Sequence, residues 1–296
     1  MRETIVCIGE IAQHPHIFPE TGIAVQSYEE LCYYMRNHLI CYLYTLPDEK
    51  LARFVAAELK LDKLSRTLSR LTDPAKDQMK YFAALFREGN YYSEDEIRGI
   101  LDEYRTLKNA DPYQQGKWLG DLFFSSGRAA MAVSHYEAAL EQEGPTDAEL
   151  GTVHHNLACA LIRLFRFGDA RIHLLKAWQY GEDERSLYYY YAIMALQEGL
   201  DKAREELKTF DVSDLVMESF ENRFAQMQVS FQSSDAAARF RKMFLLSQAG
   251  REDDCIKIRD RYIRKMQKDF RPEMESPEYL FVMNPLEPVN NKKNIK

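Results

Sequence analysis

The side chains with most capacity for chemistry are seven histidines and five cysteines. His14 and His16 flank Pro15, and His154, His155 and Cys159 fall within six residues of one another. On a helix, His155 and Cys159 are four residues apart and share a face, the spacing of two metal ligands. Two ligands do not close a tetrahedral site, and no second cluster stands in register with them. The pair reads as structural. Nucleophilic catalysis has no better footing: the chain contains no G-x-S-x-G, no H-E-x-x-H and no glycine-rich phosphate loop. The 46 acidic residues offer many carboxylate pairs, none distinct from a solvated helix face. The reading is a protein without a catalytic centre, metal, cofactor or small-molecule substrate.

Any elements that position these residues must be helical. With 296 residues, 46% of them hydrophobic, the chain can bury a sizeable core, as one elongated array or as two domains. Only 13 glycines and 10 prolines are present, too few for the turns of a many-stranded β-protein. A net charge of −7 argues against nucleic acid as a general partner, because a phosphate backbone needs a positive field. The cysteines Cys7, Cys32, Cys41, Cys159 and Cys255 are odd in number and lack C-x-x-C pairs, as expected of free thiols in a reducing compartment. The apolar run Ile5–Gly9 is too short for a signal-peptide core, and no stretch approaches the ~20 apolar residues of a membrane span. The expected location is the cytoplasm, with no membrane partner.

A spaced pattern recurs along the chain. Leu119-Gly120 is followed by Phe123, Gly127, Ala132, Tyr136 and Ala139, and Pro145 closes the unit. Leu157-Ala158, Leu161, Ala170, Leu174 and Ala177 repeat the spacing, as do Tyr190-Tyr191, Met194, Ala203, Leu207 and Phe210. Small residues such as Gly120, Ala158, Ala132 and Ala170 let paired helices approach closely. The large residues a turn further on fill the space between them. Phe165 stands where the second unit needs its turn glycine, Tyr191 takes the small position of the third, and Gly199 comes one residue late. A weaker copy covers 243–262, with Gly250 and Tyr262 in place but Cys255 and Arg259 at the alanine and aromatic positions. Another spans Tyr81–Tyr104, with Ile97, Leu101 and Tyr104 on its second helix.

This pattern resembles the tetratricopeptide repeat, and the chain resembles helical repeat proteins of bacterial type. The resemblance covers roughly 75–265 and is densest over 112–210. It implies an all-α fold, an α-solenoid winding as a right-handed superhelix of antiparallel helix pairs. Three segments follow: an N-terminal helical region at 1–72, the repeats at 73–271 and a tail at 272–296. Before the repeats, Ile5–Ile8 and Ile23–Gln26 are extended candidates for a small β-hairpin. Ser27-Tyr-Glu-Glu30 reads as a capping box opening a helix through about Leu46. Further helices are expected from Pro47, over Leu61–Leu71 and over Asp211–Phe231. The four prolines and polar residues after Arg271 predict an unpacked tail.

In repeats of this family the first helices line a concave groove. Carried over by position, the groove receives Lys117, Trp118 and Asp121 from the first repeat. It receives His155, Asn156, Cys159 and Arg163 from the second, and Arg185, Tyr188 and Tyr189 from the third. The resemblance implies a scaffold or adaptor that binds another protein or peptide there. Co-chaperones of this family clamp a terminal carboxylate through five such positions. Lys117, Asn156 and Arg185 match three of them, while Asp121 and Tyr189 replace an asparagine and a basic residue, and Asp121 would repel an acidic tail. The run Tyr188–Tyr191 has two readings, a binding face or a seal within the stack. A further alternative rests on the final helix, where Lys257, Arg261, Arg264, Lys265 and Lys268 form a stripe. That stripe is either a nucleic-acid contact or a solvated capping face.

Overall fold

The computed structural model describes residues 8–43, 45–46, 48–73, 76–181 and 183–274, the last ten of these and 235–236 by backbone alone. Among the described residues there are fourteen α-helices and one two-stranded sheet. They belong to two compact units, which divide between Glu143 and Gly144.

The first unit begins with strands β1 (His16–Ile17) and β2 (Ala24–Val25), antiparallel with His16 opposite Val25. The expected hairpin is present, but its first strand is not Ile5–Ile8, of which residues 5–7 lie outside the described residues. The turn explains the choice: Gly22 takes φ +72° and its N–H donates to the Phe18 carbonyl at 2.7 Å. Helix α1 (Tyr28–Asn37) opens on Ser27, whose hydroxyl accepts the Glu30 N–H. It does not continue to Leu46. Asn37 Nδ2 donates to the Tyr33 carbonyl at 2.7 Å, and His38 Nδ1 lies 2.8 Å from the Tyr34 carbonyl. These side chains satisfy the carbonyls that end a helix, and Leu39–Tyr42 follows as a 3-10 turn.

Helices α2 (Glu49–Ala57), α3 (Asp62–Ser69), α4 (Gln78–Arg87) and α5 (Glu94–Asn109) each pack on the next. A capping box between Ser93 and Glu96 starts α5. Ile97, Ile100 and Tyr104 form its buried stripe, with Leu101 half-buried. Tyr104 Oη donates to the Tyr42 carbonyl at 3.1 Å and Tyr28 Oη to the Leu85 carbonyl at 2.6 Å, so buried tyrosines tie the early segments to α4 and α5. Helices α6 (Pro112–Ser125) and α7 (Ala129–Leu140) form the tightest pair of this unit. Leu119, Gly120, Phe123, Ala132, Tyr136 and Ala139 are all buried between or beneath them. Gly127 turns the chain at φ +82°.

The second unit opens with α8 (Asp147–Arg163), capped by a Thr146–Glu149 box, and α9 (Phe167–Gly181). Then come α10 (Glu184–Glu198), α11 (Leu200–Leu207) and α12 (Asp214–Gln232). Helices α13 (Asp235–Gln248) and α14 (Glu252–Met274) end the described chain. Contacts run α8 to α9, α9 to α10, α10 to α11 and α13 to α14. Leu157, Ala158, Leu161, Ala170, Leu174, Ala177, Tyr190, Tyr191, Met194, Ala203 and Leu207 are buried, as their spacing requires, while Phe210 is half-buried. Phe165 takes the left-handed conformation itself, at φ +59°. Helix α14 runs through Pro272, where the tail is expected to begin, as far as Met274; the rest of that segment, residues 275–296, lies outside the described residues. No helix among the described residues is long and apolar enough to cross a membrane.

Candidate functional site

Within the second unit, His155 of α8 reaches the start of α10. Its Nδ1 lies 2.7 Å from Ser186 Oγ at the start of α10, and its ring stacks on Tyr189 with centroids 5.7 Å apart. On the other side, Nε2 is 3.6 Å from Cys159 Sγ, one turn along α8. Asp183, the N-cap of α10, holds Arg185 by two routes: its carboxylate accepts the Arg185 backbone N–H at 3.0 Å and pairs with the guanidinium at 2.9 Å. The imidazole is therefore fixed by a serine, a thiol and an aromatic face, with a carboxylate 3.9 Å away.

The electrostatics make this cluster a set of neutral hydrogen-bonding groups beside one ion pair. Burial lowers the His155 pKa, partly offset by Asp183. Burial pushes the Cys159 thiol up to about 11, so it is protonated at neutral pH and is a poor nucleophile. Ser186 is fully buried. Around these groups, Asn156 is half-buried, and Arg163, Arg185 and Tyr189 are exposed. The result is a polar and aromatic row along two adjacent helices, suited to hydrogen bonding and stacking.

Tyr188 faces elsewhere. It is only 6% exposed; its ring meets Phe220 of α12, and the Arg223 guanidinium lies 3.8 Å above it. The tyrosine run thus divides: Tyr188, Tyr190 and Tyr191 seal helix contacts, and Tyr189 alone is exposed. In the first unit, Lys117 Nζ pairs with Asp121 Oδ2 at 2.7 Å, and Asp121 Oδ1 accepts the Tyr136 hydroxyl at 2.7 Å. Trp118 is half-buried next to them in sequence.

His154, adjacent to His155, turns to the opposite side of α8. Its Nδ1 lies 2.9 Å from Nδ1 of His173 on α9, and Tyr180 stacks over it. Burial, with His173 and Lys176 nearby, lowers its pKa to about 4. The sequence pattern missed this pair, because contacts between helices leave no local signal beyond two histidines beside apolar positions. His14 and His16 also diverge: His14 pairs with Glu58 at 3.0 Å, and His16 packs on Phe18 and Phe54. Among the described residues, no group of three or more histidine, cysteine or acidic side chains is placed to hold a metal. On α14, Lys257 pairs with Asp254 and Arg259 with Asp260, Arg261 and Arg264 are exposed, and the side chains of Lys265 and Lys268 lie outside the described ones.

No family model, curated protein or solved structure matches the chain.

Proposed function

We propose that this is a non-catalytic polypeptide-binding protein of tetratricopeptide-like helix pairs, and that an extended segment of the partner lies along α8 and α10. The observation that carries the reading is the row formed by His155, Asn156, Arg185 and Tyr189, with α8 linked to the start of α10 through the His155–Ser186 and His155–Tyr189 contacts. Such a row sets the Asn156 amide beside an exposed tyrosine ring, groups suited to a peptide's backbone and side chains. Buried neighbours hold the row in place, which lowers the ordering cost of binding. A carboxylate clamp is the weaker form of this function, because Lys117 and Arg185 already pair with carboxylates of their own chain.

Selection from a displayed random-peptide library supplies ligands for the test. Asn156→Ala combined with Tyr189→Ser should weaken the selected peptides by about tenfold or more, on the order of 1.4 kcal/mol, with unchanged circular dichroism. Undiminished affinity in the folded double variant would remove the α8–α10 row as the site.

A further inference from the structure

Helices α13 and α14 carry exposed apolar side chains among the described residues. Here Phe240 and Phe244 of α13 are 53% and 63% exposed, and Ile256 and Ile263 of α14 are each 42% exposed. Phe240 and Phe244 are four residues apart and Ile256 and Ile263 seven, so each pair shares one face of its helix. The Phe240 ring meets Tyr262, the neighbour of Ile263, with centroids 6.3 Å apart, which places the α13 stripe at the seam with α14.

Cations outnumber acids along α13, with Arg239, Arg241 and Lys242 against Asp235 alone. Arg239 and Arg241 stand about 100° to either side of Phe240 on the helix, and Arg264 as far from Ile263. Among the described residues, none of these three, nor Lys242 or Arg261, meets a carboxylate within 4 Å. Of the α14 acids whose side chains are described, Asp254 pairs with Arg251 and Lys257, Asp260 pairs with Arg259, and Glu252 and Asp253 occupy the first turn. Net charge over the whole chain is −7, so this cationic rim is a local feature.

We infer that the α13–α14 seam is a docking surface for an acidic amphipathic helix of a partner polypeptide. Apolar residues at helical spacing beside a helix–helix seam fit the apolar face of a third helix, and the arginine rim fits carboxylates on its flanks. This surface uses none of the α8–α10 residues, so the two sites stand or fall separately.

A fluorescein-labelled synthetic peptide of about three heptads tests it, with leucine at a and d and glutamate at the flanking positions. A matched peptide carries lysine in place of glutamate. Anisotropy should show the acidic peptide binding the full chain with a Kd on the order of 10 μM, and the lysine peptide about tenfold weaker or worse. Phe240→Ser with Phe244→Ser should weaken the acidic peptide by about tenfold, and Arg239→Glu with Arg241→Glu by a similar factor. All four positions are exposed, so melting curves should match the parent. Asn156→Ala with Tyr189→Ser should leave this binding intact. Equal affinity for the two peptides, no binding, or indifference to the phenylalanine pair would overturn the inference. So would three other results: Phe240- and Phe244-dependent self-association without peptide binding, the same dependence for phosphatidylglycerol vesicles, or a preference for duplex DNA.

Discussion

Gly120 and Gly99 lie in helix interiors of the same unit, and replacing each by alanine should move stability in opposite directions. In an exposed helix interior, Gly→Ala ordinarily gains about 0.8–1 kcal/mol, since alanine loses less backbone entropy. Gly99 is exposed on α5, and an added Cβ would meet nothing within 4 Å, so that gain should appear in full. At Gly120 the added Cβ would enter the Tyr136 ring. Tyr136 is fully buried, and its hydroxyl donates to Asp121 at 2.7 Å, so the ring cannot withdraw without losing that bond. Overpacking costs roughly 1–3 kcal/mol and a lost hydrogen bond to a charged group about 1.5–3. Against the helix gain, the net destabilisation at Gly120 is about 1.5–5 kcal/mol. Urea denaturation followed by Trp118 emission, with Trp178→Phe removing the other tryptophan, reads this unit directly. Gly120→Ala should lower the midpoint and Gly99→Ala raise it. If both variants shift the same way, the close approach of α6 and α7 at Gly120 is wrong, and with it the spacing argument for paired helices.

Two further substitutions test local physics. Phe165 holds φ +59°, a conformation that costs a non-glycine residue about 1–2 kcal/mol. Its ring is 66% exposed, so Phe165→Gly should stabilise the second unit by about 0.5–1 kcal/mol after the extra unfolded-state entropy of glycine; a fall in the urea midpoint would contradict this. His135 stacks on Phe123 with its Nε2 buried and unbonded among the described residues, and burial lowers its pKa to about 4. Because the folded value lies below the unfolded 6.5, protonation favours the unfolded chain. The stability is complete above about pH 6.5 and declines as pH falls toward 4, by roughly 2–3 kcal/mol. His135→Phe should flatten that part of the first unit's pH–stability profile, and an unchanged slope would show that His135 does not titrate as described.

Periodic signals in the sequence carried the helix pairs. The small residues Gly120, Ala132, Ala158 and Ala170 are all buried, and at Gly120 an added Cβ would enter the Tyr136 ring. The capping boxes at Ser93 and Thr146 are equally local. What stayed hidden depends on partners far along the chain. Tyr188 and Tyr189 are adjacent and identical, and only Phe220 and Arg223, more than thirty residues on, draw one inward. His154 and His155 divide in the same way between His173 and Ser186. The end of α1 was hidden for another reason: its apolar spacing continues past His38, but side chains at 37 and 38 satisfy the terminal carbonyls and allow the helix to stop.

The ion pairs at the candidate sites bear on the kind of partner each can hold. An arginine that grips a ligand carboxylate must first give up the one it holds, so only the difference between the two pairs contributes to affinity. Arg185 is held through both its backbone and its guanidinium by Asp183, and that carboxylate also caps α10. Releasing the guanidinium would cost that ion pair, while the backbone cap on the Asp183 carboxylate stays in place. The α8–α10 row is therefore a nearly neutral surface, and binding there should rest on hydrogen bonds and stacking and depend weakly on salt. At the α13–α14 seam the arginines are not so engaged among the described residues, and exposed charge attraction is screened over about 10 Å at 0.1 M salt. Binding at that seam should weaken steeply as salt rises. Salt dependence thus separates the two surfaces with the same chain in the cuvette, and a partner indifferent to salt belongs to the first.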